Sequence, residues 1–404
     1  MSEKKSAAAR PHRPGPRVTR IELTPVFVPF HSVVREAMQA SGGLGMAIPS
    51  EEAWPGGDAA ICKLVAEDGS CGLGEAFVWL PESGVSPKQI IDTIGAALGR
   101  YLLGESPFDI ERIRRRMEIN VARNEIAKGL LDMACYDLMG RITGRPACDF
   151  MGGRATETVP LAALIPLMDA AEMVQWTQLL YDQGYRTFRL KLGRSISEDV
   201  QVVELMRRTL GDEIRLRVDY NQAYHSSPLA IRAIKAIEPY GIDFAEQPIR
   251  NTDYIGMAAV QRQVDTPVMS HEDFFSLQDL VTLVELQAVR VIGINTERPG
   301  GITNALRAIT YAELRGLGVV LHNQPLGISS AATLHLAAAK HHQLGHATEL
   351  FGHIMMEDDL IVSPIDYSEG VGRLPEGPGW GVELDEVALQ KYATAPTTVL
   401  QYKK

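Results

Sequence analysis

The chain has 404 residues, 45% of them apolar and 22% charged, with a net charge of −10 and a pI near 5.6. That balance is the soluble-globular average and excludes a disordered, collagen-like or coiled-coil chain. The acidity argues against a nucleic-acid binder and against a polybasic membrane anchor, and no run approaches the ~18 apolar residues of a membrane span. Cys62, Cys71, Cys135 and Cys148 form no C-x-x-C pair, so a disulfide framework or zinc ribbon is excluded and reduced thiols in a cytoplasmic protein are expected.

Residues 1–17 are basic and rich in proline and alanine, with no apolar core for a secretory signal, and read as a disordered tail. Val18 to Pro29 has strand character around Ile21, Leu23 and Val26. His31 to Gly57 carries several glycines and prolines and no clear period. Its apolar members Met38, Leu44, Met46, Ile48 and Trp54 suggest a lid rather than a linker. Ala59 to Glu67 and Gly72 to Val78 read as a hairpin about Asp68-Gly69-Ser70. Ser106 to Arg116 and Asn124 to Arg141 read as helices, the second closed by Gly144 and Pro146. Residues 18–150 thus form an α+β unit, and 365–404 a closing segment.

Residues 151–364 have a different texture. Short apolar runs alternate with helical segments seven or eight times, which predicts an α/β fold of the TIM-barrel type. The residues that end the runs are Lys191, Asp219, Glu246, Glu272, Asn295, His322 and Glu349, spaced by 28, 27, 26, 23, 27 and 27 residues. Each gap is one βα unit. In a barrel the C-terminal strand ends share one face, where the active site lies.

Asp219, Glu246 and Glu272 end three consecutive strands. Three carboxylates converging on one point repel, and a hard divalent cation relieves that repulsion; oxygen-only ligands select Mg²⁺ over zinc. Asn221, two residues past Asp219, faces the same way and can support a ligand. Arg189 and Lys191 share a face of their strand. Two neighbouring cations disfavour each other's charge, and a lysine brought toward neutrality is a usable general base. His322, five strands after Lys191, can exchange a proton on the other face of a substrate. Glu349 would present a carboxyl to a substrate at the mouth. His271, beside Glu272, is expected to point away from the metal. Such a set suits removal of a proton α to a carboxylate, with Mg²⁺ stabilising the enolate.

The same residues resemble the enolase superfamily, and within it the mandelate racemase group. Gly72-Leu73-Gly74-Glu75 resembles the glycine-rich hairpin end of the family's capping domain, and Leu130 to Gly153 resembles the crossover from cap to barrel. Val218 to Ala223, Ala245 to Pro248 and Ser270 to Asp273 resemble the metal-ligand segments, and Gly377 to Glu386 the return to the cap. The resemblance implies a modified (β/α)₇β barrel under an α+β cap. It also implies Mg²⁺ on Asp219, Glu246 and Glu272, lid loops at His31–Gly57 and Phe77–Ser83, and a homo-oligomer. It departs from the pattern in two places: Arg189-x-Lys191 replaces Lys-x-Lys, and Asn295 stands where an aspartate would orient the histidine.

Three functions compete. The first is dehydration of a sugar acid or hydroxy acid to a 2-keto acid, with Lys191 taking the α-proton and His322 protonating the leaving hydroxyl; His322-Asn323-Gln324-Pro325 resembles the sugar-acid dehydratases. The second is racemisation or epimerisation of an α-substituted carboxylate. The third is a non-catalytic metal-binding relative.

Overall fold

The computed structural model describes residues 15–40, 54–323 and 325–403. The cap sheet is antiparallel, ordered β13-β1-β2-β3, from β1 (Val18–Pro29), β2 (Gly56–Ala66), β3 (Cys71–Val78) and β13 (Thr398–Gln401). Ile21, Leu23 and Val26 are fully buried. The hairpin turns where expected: the Ser70 N–H is held by Asp68 Oδ1 at 3.0 Å, and Gly69 takes φ 85°. The tail expectation for residues 1–14 lies outside the described residues. Arg17 already belongs to the cap, its carbonyl accepting from Glu67 N at 2.9 Å.

The stretch expected to be an irregular lid is partly regular. Ser32–Ala40 is helical and Gly56 opens β2; residues 41–53 lie outside the described residues. The first expected helix begins later, at Ile110, after a 3₁₀ turn at Pro107–Asp109, because Pro107 presets that turn. A helix at Pro87–Thr93 was not expected; Ser86 and Gln89 form its capping box.

The helix Glu125–Thr143 ends as expected at a left-handed Gly144. It is buried almost all round, since the cap hairpin covers one side and the barrel the other. Glycines permit that closeness: a Cβ at Gly72 would lie 2.4 Å from Ala134 O, and one at Gly74 2.5 Å from Leu130 O. Each Leu that this helix buries completely, such as Leu130 or Leu138, contributes about 1.5–3 kcal/mol.

The barrel has eight parallel strands: β4 (Thr158–Ile165), β5 (Thr187–Lys191), β6 (Arg215–Asp219), β7 (Ile242–Glu246), β8 (Val268–Ser270), β9 (Val291–Ile294), β10 (Gly318–Asn323) and β11 (Thr348–Leu350). β11 pairs with β4 and closes it. Seven α-helices lie between the eight strands, so the architecture is (β/α)₇β. The short β12 (Val371–Arg373) lies antiparallel on β4, and the chain then returns to the cap, where β13 pairs with β1. Among the described residues no helix is long and apolar enough to cross a membrane.

Candidate active site

All seven strand-end residues sit at the C-terminal mouth of the barrel, under the cap. Register explains which of them face its centre. Lys191 pairs with Asp219, Asp219 with Glu246, and Glu246 with Met269. Laterally paired residues of a parallel sheet share a face, so Lys191, Asp219, Glu246 and Met269 all point inward. Met269 packs there with Phe244, Val291 and Val320. Strand alternation then carries His271 inward and turns Glu272 aside. The expectation for this pair is therefore corrected: His271 aims at the centre, and Glu272 leans toward the loop after β6.

Glu272 is gripped there by two amides, Asn221 Nδ2 and Gln222 Nε2. Asn221 and Gln222 hold left-handed backbones, φ 40° and 67°, and this strained bend lets two successive side chains reach one carboxylate. Burial, then the charges of Glu82 and Asp219, push the Glu272 carboxyl up to about 8. Asn221 also bridges to Asp219 and Lys191: its N–H lies 2.9 Å from Asp219 Oδ1, and its Oδ1 accepts from Lys191 Nζ.

Arg189 does not act as a companion cation for Lys191. Its Nε and Nη2 hold Glu246 bidentately at 2.8 and 2.7 Å. Nη2 also lies 2.5 Å from Asp219 Oδ2, and Nε 3.3 Å from Glu349 Oε2. Lys191 Nζ pairs with Asp219 Oδ2 at 2.5 Å. Against burial, the carboxylates of Asp219 and Glu246 hold the Arg189 guanidinium firmly charged. Burial works against the Glu246 carboxylate too, but Arg189 and then His271 hold it well below the usual range.

Glu349, expected to meet substrate, lies below the cavity between two guanidiniums. Arg217 Nη1 is 2.9 Å from its Oε1. Asn295, expected to orient His322, instead takes His271: its Oδ1 is 2.9 Å from His271 Nε2. The other nitrogen of His271 is 3.2 Å from Glu246 Oε1. The His271 and His322 rings are 3.8 Å apart. Burial, then His271 and Arg189, keep the His322 imidazole neutral. Burial and Arg298 oppose charge on His271, but the hydrogen bond to Glu246 together with the charges of Glu82 and Glu246 outweighs them and raises its pKa.

Of these side chains Arg189, Lys191, Asn221, His271, Asn295 and His322 line a cavity, with Phe77, Trp79, Glu82, Ser83, Ile126, Glu297 and Arg298. Its free volume is only about 30 Å³, room for a water molecule or two. The cap closes it: Trp79 packs 5.3 Å from Trp54 and 6.2 Å from Phe30, and Glu82 Oε1 meets Arg298 Nη2 at 2.6 Å. The Phe77–Ser83 segment thus overhangs the site.

Do these residues fit the magnesium ion implied by the resemblance? Asp219, Glu246 and Glu272 do not converge. A guanidinium bridges the first two, and side-chain amides occupy the third. The donor atoms that do converge are those of Glu246, His271 and His322, all within 4.8 Å of one another. Two imidazoles in three ligands do not suit a hard, all-oxygen ion.

The family can now be named from both domains. Residues 172–388 match the enolase C-terminal domain-like family, and residues 51–152 match the N-terminal domain of mandelate racemase/muconate lactonizing enzyme. The chain belongs to the mandelate racemase/muconate lactonizing enzyme family of the enolase superfamily. It is similar to N-succinyl-L-Arg/Lys racemase of Bacillus cereus, 29% identical over 82% of this chain and 89% of that protein. The crystal structure of that racemase superposes with a TM-score of 0.86 at 26% identity, covering 95% of this chain and all of that one. It is also similar to a hydrophobic dipeptide epimerase of Enterococcus faecalis, 33% identical over 70% of this chain and 80% of that protein. Muconate cycloisomerase 1 of Pseudomonas putida is 29% identical over 82% and 90%. The protein is therefore an enzyme of this superfamily whose named relatives are racemases, epimerases and cycloisomerases. They lend no support to sugar-acid dehydration and favour the racemase or epimerase alternative.

Sequence reasoning missed His271, Arg217, Arg298 and Glu82, and did not place Glu297 in the cavity. A signal for His271 was present: from Glu246 through His271 to Asn295 the steps are 25 and 24 residues, more even than 26 and 23 through Glu272.

Proposed function

We propose that the protein is a racemase or epimerase acting at the carbon α to a carboxylate, with acylated α-amino acids as the substrate class. One observation carries the reading. Lys191 ends the second of eight barrel strands, Glu297 follows the sixth, directly across, and both line one closed cavity. A substrate α-carbon between them would meet a proton carrier on each face, which inversion of a stereocentre requires. Phe77, Trp79 and Ile126 supply an apolar wall for a side chain. The names of the relatives, an N-succinyl amino-acid racemase and dipeptide epimerases, support the acylated substrate. His322, read from sequence as the second proton carrier, also lines the cavity, but it lies on the seventh strand rather than the one across from Lys191, beside Glu246, His271 and Glu349.

In this mechanism Lys191 removes the α-proton from one enantiomer and Glu297 returns a proton to the opposite face, with roles reversed for the other. Asn221 and Asp219 hold the lysine ammonium in place. The closed cap excludes water that would otherwise exchange with the carbanion.

Proton NMR in D₂O with both enantiomers of a panel of N-acyl amino acids and dipeptides tests this. The wild type should incorporate deuterium at Cα with inversion. Lys191→Ala should abolish exchange of one enantiomer, and Glu297→Gln that of the other, each by at least 100-fold. No exchange with any acylated amino acid, together with keto-acid release from a hydroxy acid, would return the dehydratase reading.

A further inference from the structure

We propose that Glu246, His271 and His322 form the protein part of a site for a borderline divalent transition ion, of the Zn²⁺ or Co²⁺ class, rather than for Mg²⁺. Glu246 ends β7, His271 directly follows β8 and His322 lies on β10, and all three side chains are buried. Their donor atoms lie within 4.8 Å of one another, and Glu246 Oε1 is already 3.2 Å from His271 Nδ1. That separation is the edge of a tetrahedron around an ion with bonds near 2.0–2.1 Å.

A second observation points to a ligand independently. Both ring nitrogens of His322 are buried without a hydrogen-bond partner in a residue only 3% exposed. A buried polar atom left unpaired is destabilising, and a metal bond would remove that cost. The surrounding shell is also that of a metal site. Asn295 Oδ1 takes the far nitrogen of His271 at 2.9 Å, which fixes the ring and its tautomer, as outer partners of ligating histidines do. Arg189 holds Glu246 rigid with two hydrogen bonds, one to each carboxylate oxygen, and leaves each oxygen a second lone pair. His271 and His322 both line the cavity, so an ion they held would border the substrate space.

The ligand set decides the kind of ion. Imidazole suits zinc, cobalt, nickel and copper, whereas Mg²⁺ takes oxygen donors. Charge decides what it would bind. Around this point Asp219, Glu246 and Glu349 face Arg189, Lys191 and Arg217, and Glu82 faces Arg298, so a bound divalent ion adds positive charge to the cavity. A substrate carboxylate would offset it. That last step rests on the isomerase reading; the metal site does not.

The test is metal binding by the full chain after chelation and dialysis, without substrate. Co²⁺ should bind at one ion per chain and give the visible absorption of a nitrogen–oxygen site, and Zn²⁺ should displace it. A hundredfold excess of Mg²⁺ should not. His322→Asn and His271→Asn should weaken Co²⁺ by at least 100-fold, and Asn295→Ala by about 10–100-fold. His271→Asp keeps a ligand while exchanging imidazole for carboxylate, and should shift the preference toward Mg²⁺ and Mn²⁺; it serves also if the asparagine variants fail to fold. Tight Mg²⁺ binding that is indifferent to His271→Asn and lost in Glu272→Gln would overturn the proposal and restore the three-carboxylate site. Co²⁺ binding with the stated ligand dependence upholds it, even if no acid undergoes α-exchange, an outcome that would sink only the isomerase reading.

Discussion

Glu349 shows how a residue's role changes with its neighbours. From its place at a strand end it looked like a substrate contact. In the fold it is fully buried between Arg189 and Arg217, and Arg217 is itself fully buried with Nη1 2.9 Å from the carboxylate. Removing one partner of such a pair strands the other charge in a dry interior, at a cost of about 3–5 kcal/mol. Glu349→Leu should therefore lose about that much stability, read as a lower urea midpoint at unchanged slope. A midpoint equal to wild type would show that Arg217 is accommodated without it. Lys191 is likewise buried and paired with Asp219 at 2.5 Å, but unlike Glu349 it lines the cavity, so its substitution is expected to remove α-exchange of one enantiomer as well as to cost stability.

At the scale of elements, one of the carboxylates that join the cap to the barrel is Glu75. Glu75 at the core of β3 accepts from Leu326 N at 2.8 Å and Ser329 N at 3.0 Å, the amino end of the helix Gly327–Ala339 that follows β10. This end of a helix is short of acceptors and favours negative charge. Burial nevertheless outweighs these bonds and pushes the Glu75 carboxyl up to about 8. The sign follows from linkage. Between the ordinary glutamate value and about 8 the native state keeps this proton while the unfolded chain releases it, so Glu75's contribution is full in acid and fades as pH rises through that window. The thermal midpoint of Glu75→Gln should accordingly depend less on pH between about 5 and 8 than that of wild type. Parallel curves for the two proteins would refute the raised value.

For the whole molecule, the last strand holds the cap together. β13 covers the free edge of β1, with Arg20 opposite Gln401 and Leu23 opposite Thr398. Upstream, Asp137 ties the returning segment to the cap: it accepts from Trp380 N at 2.6 Å and Leu73 N at 2.7 Å, and Trp380 Nε1 donates to Leu73 O at 3.0 Å. Deleting residues 397–404 should bare the edge of β1 and loosen the cap sheet. Hydrogen exchange should then show lost protection in β1 to β3, with β4 to β11 still protected. Activity should fall with it, because Trp79 and Glu82 overhang the site from the cap. Equal protection in both sheets would mean that β13 is dispensable.

Much of this was legible without coordinates. The period of apolar runs predicts seven or eight βα units, because each unit needs its own buried run and its own amphipathic helix. The polar residues in phase with that period, Lys191 to Glu349, mark the mouth of the barrel. Tertiary structure alone decided what those residues touch. A one-residue difference in where β8 ends exchanges Glu272 for His271 at the centre, since side chains alternate along a strand. Arg189 left its neighbour Lys191 for a carboxylate two strands away, because a buried guanidinium is stabilised by pairing and not by the nearest residue in sequence. The contacts of Glu75 with Leu326, and of Trp380 with Asp137 and Leu73, join segments more than 240 residues apart. No local pattern encodes such pairs; they follow only once the barrel closes and the chain returns to its cap.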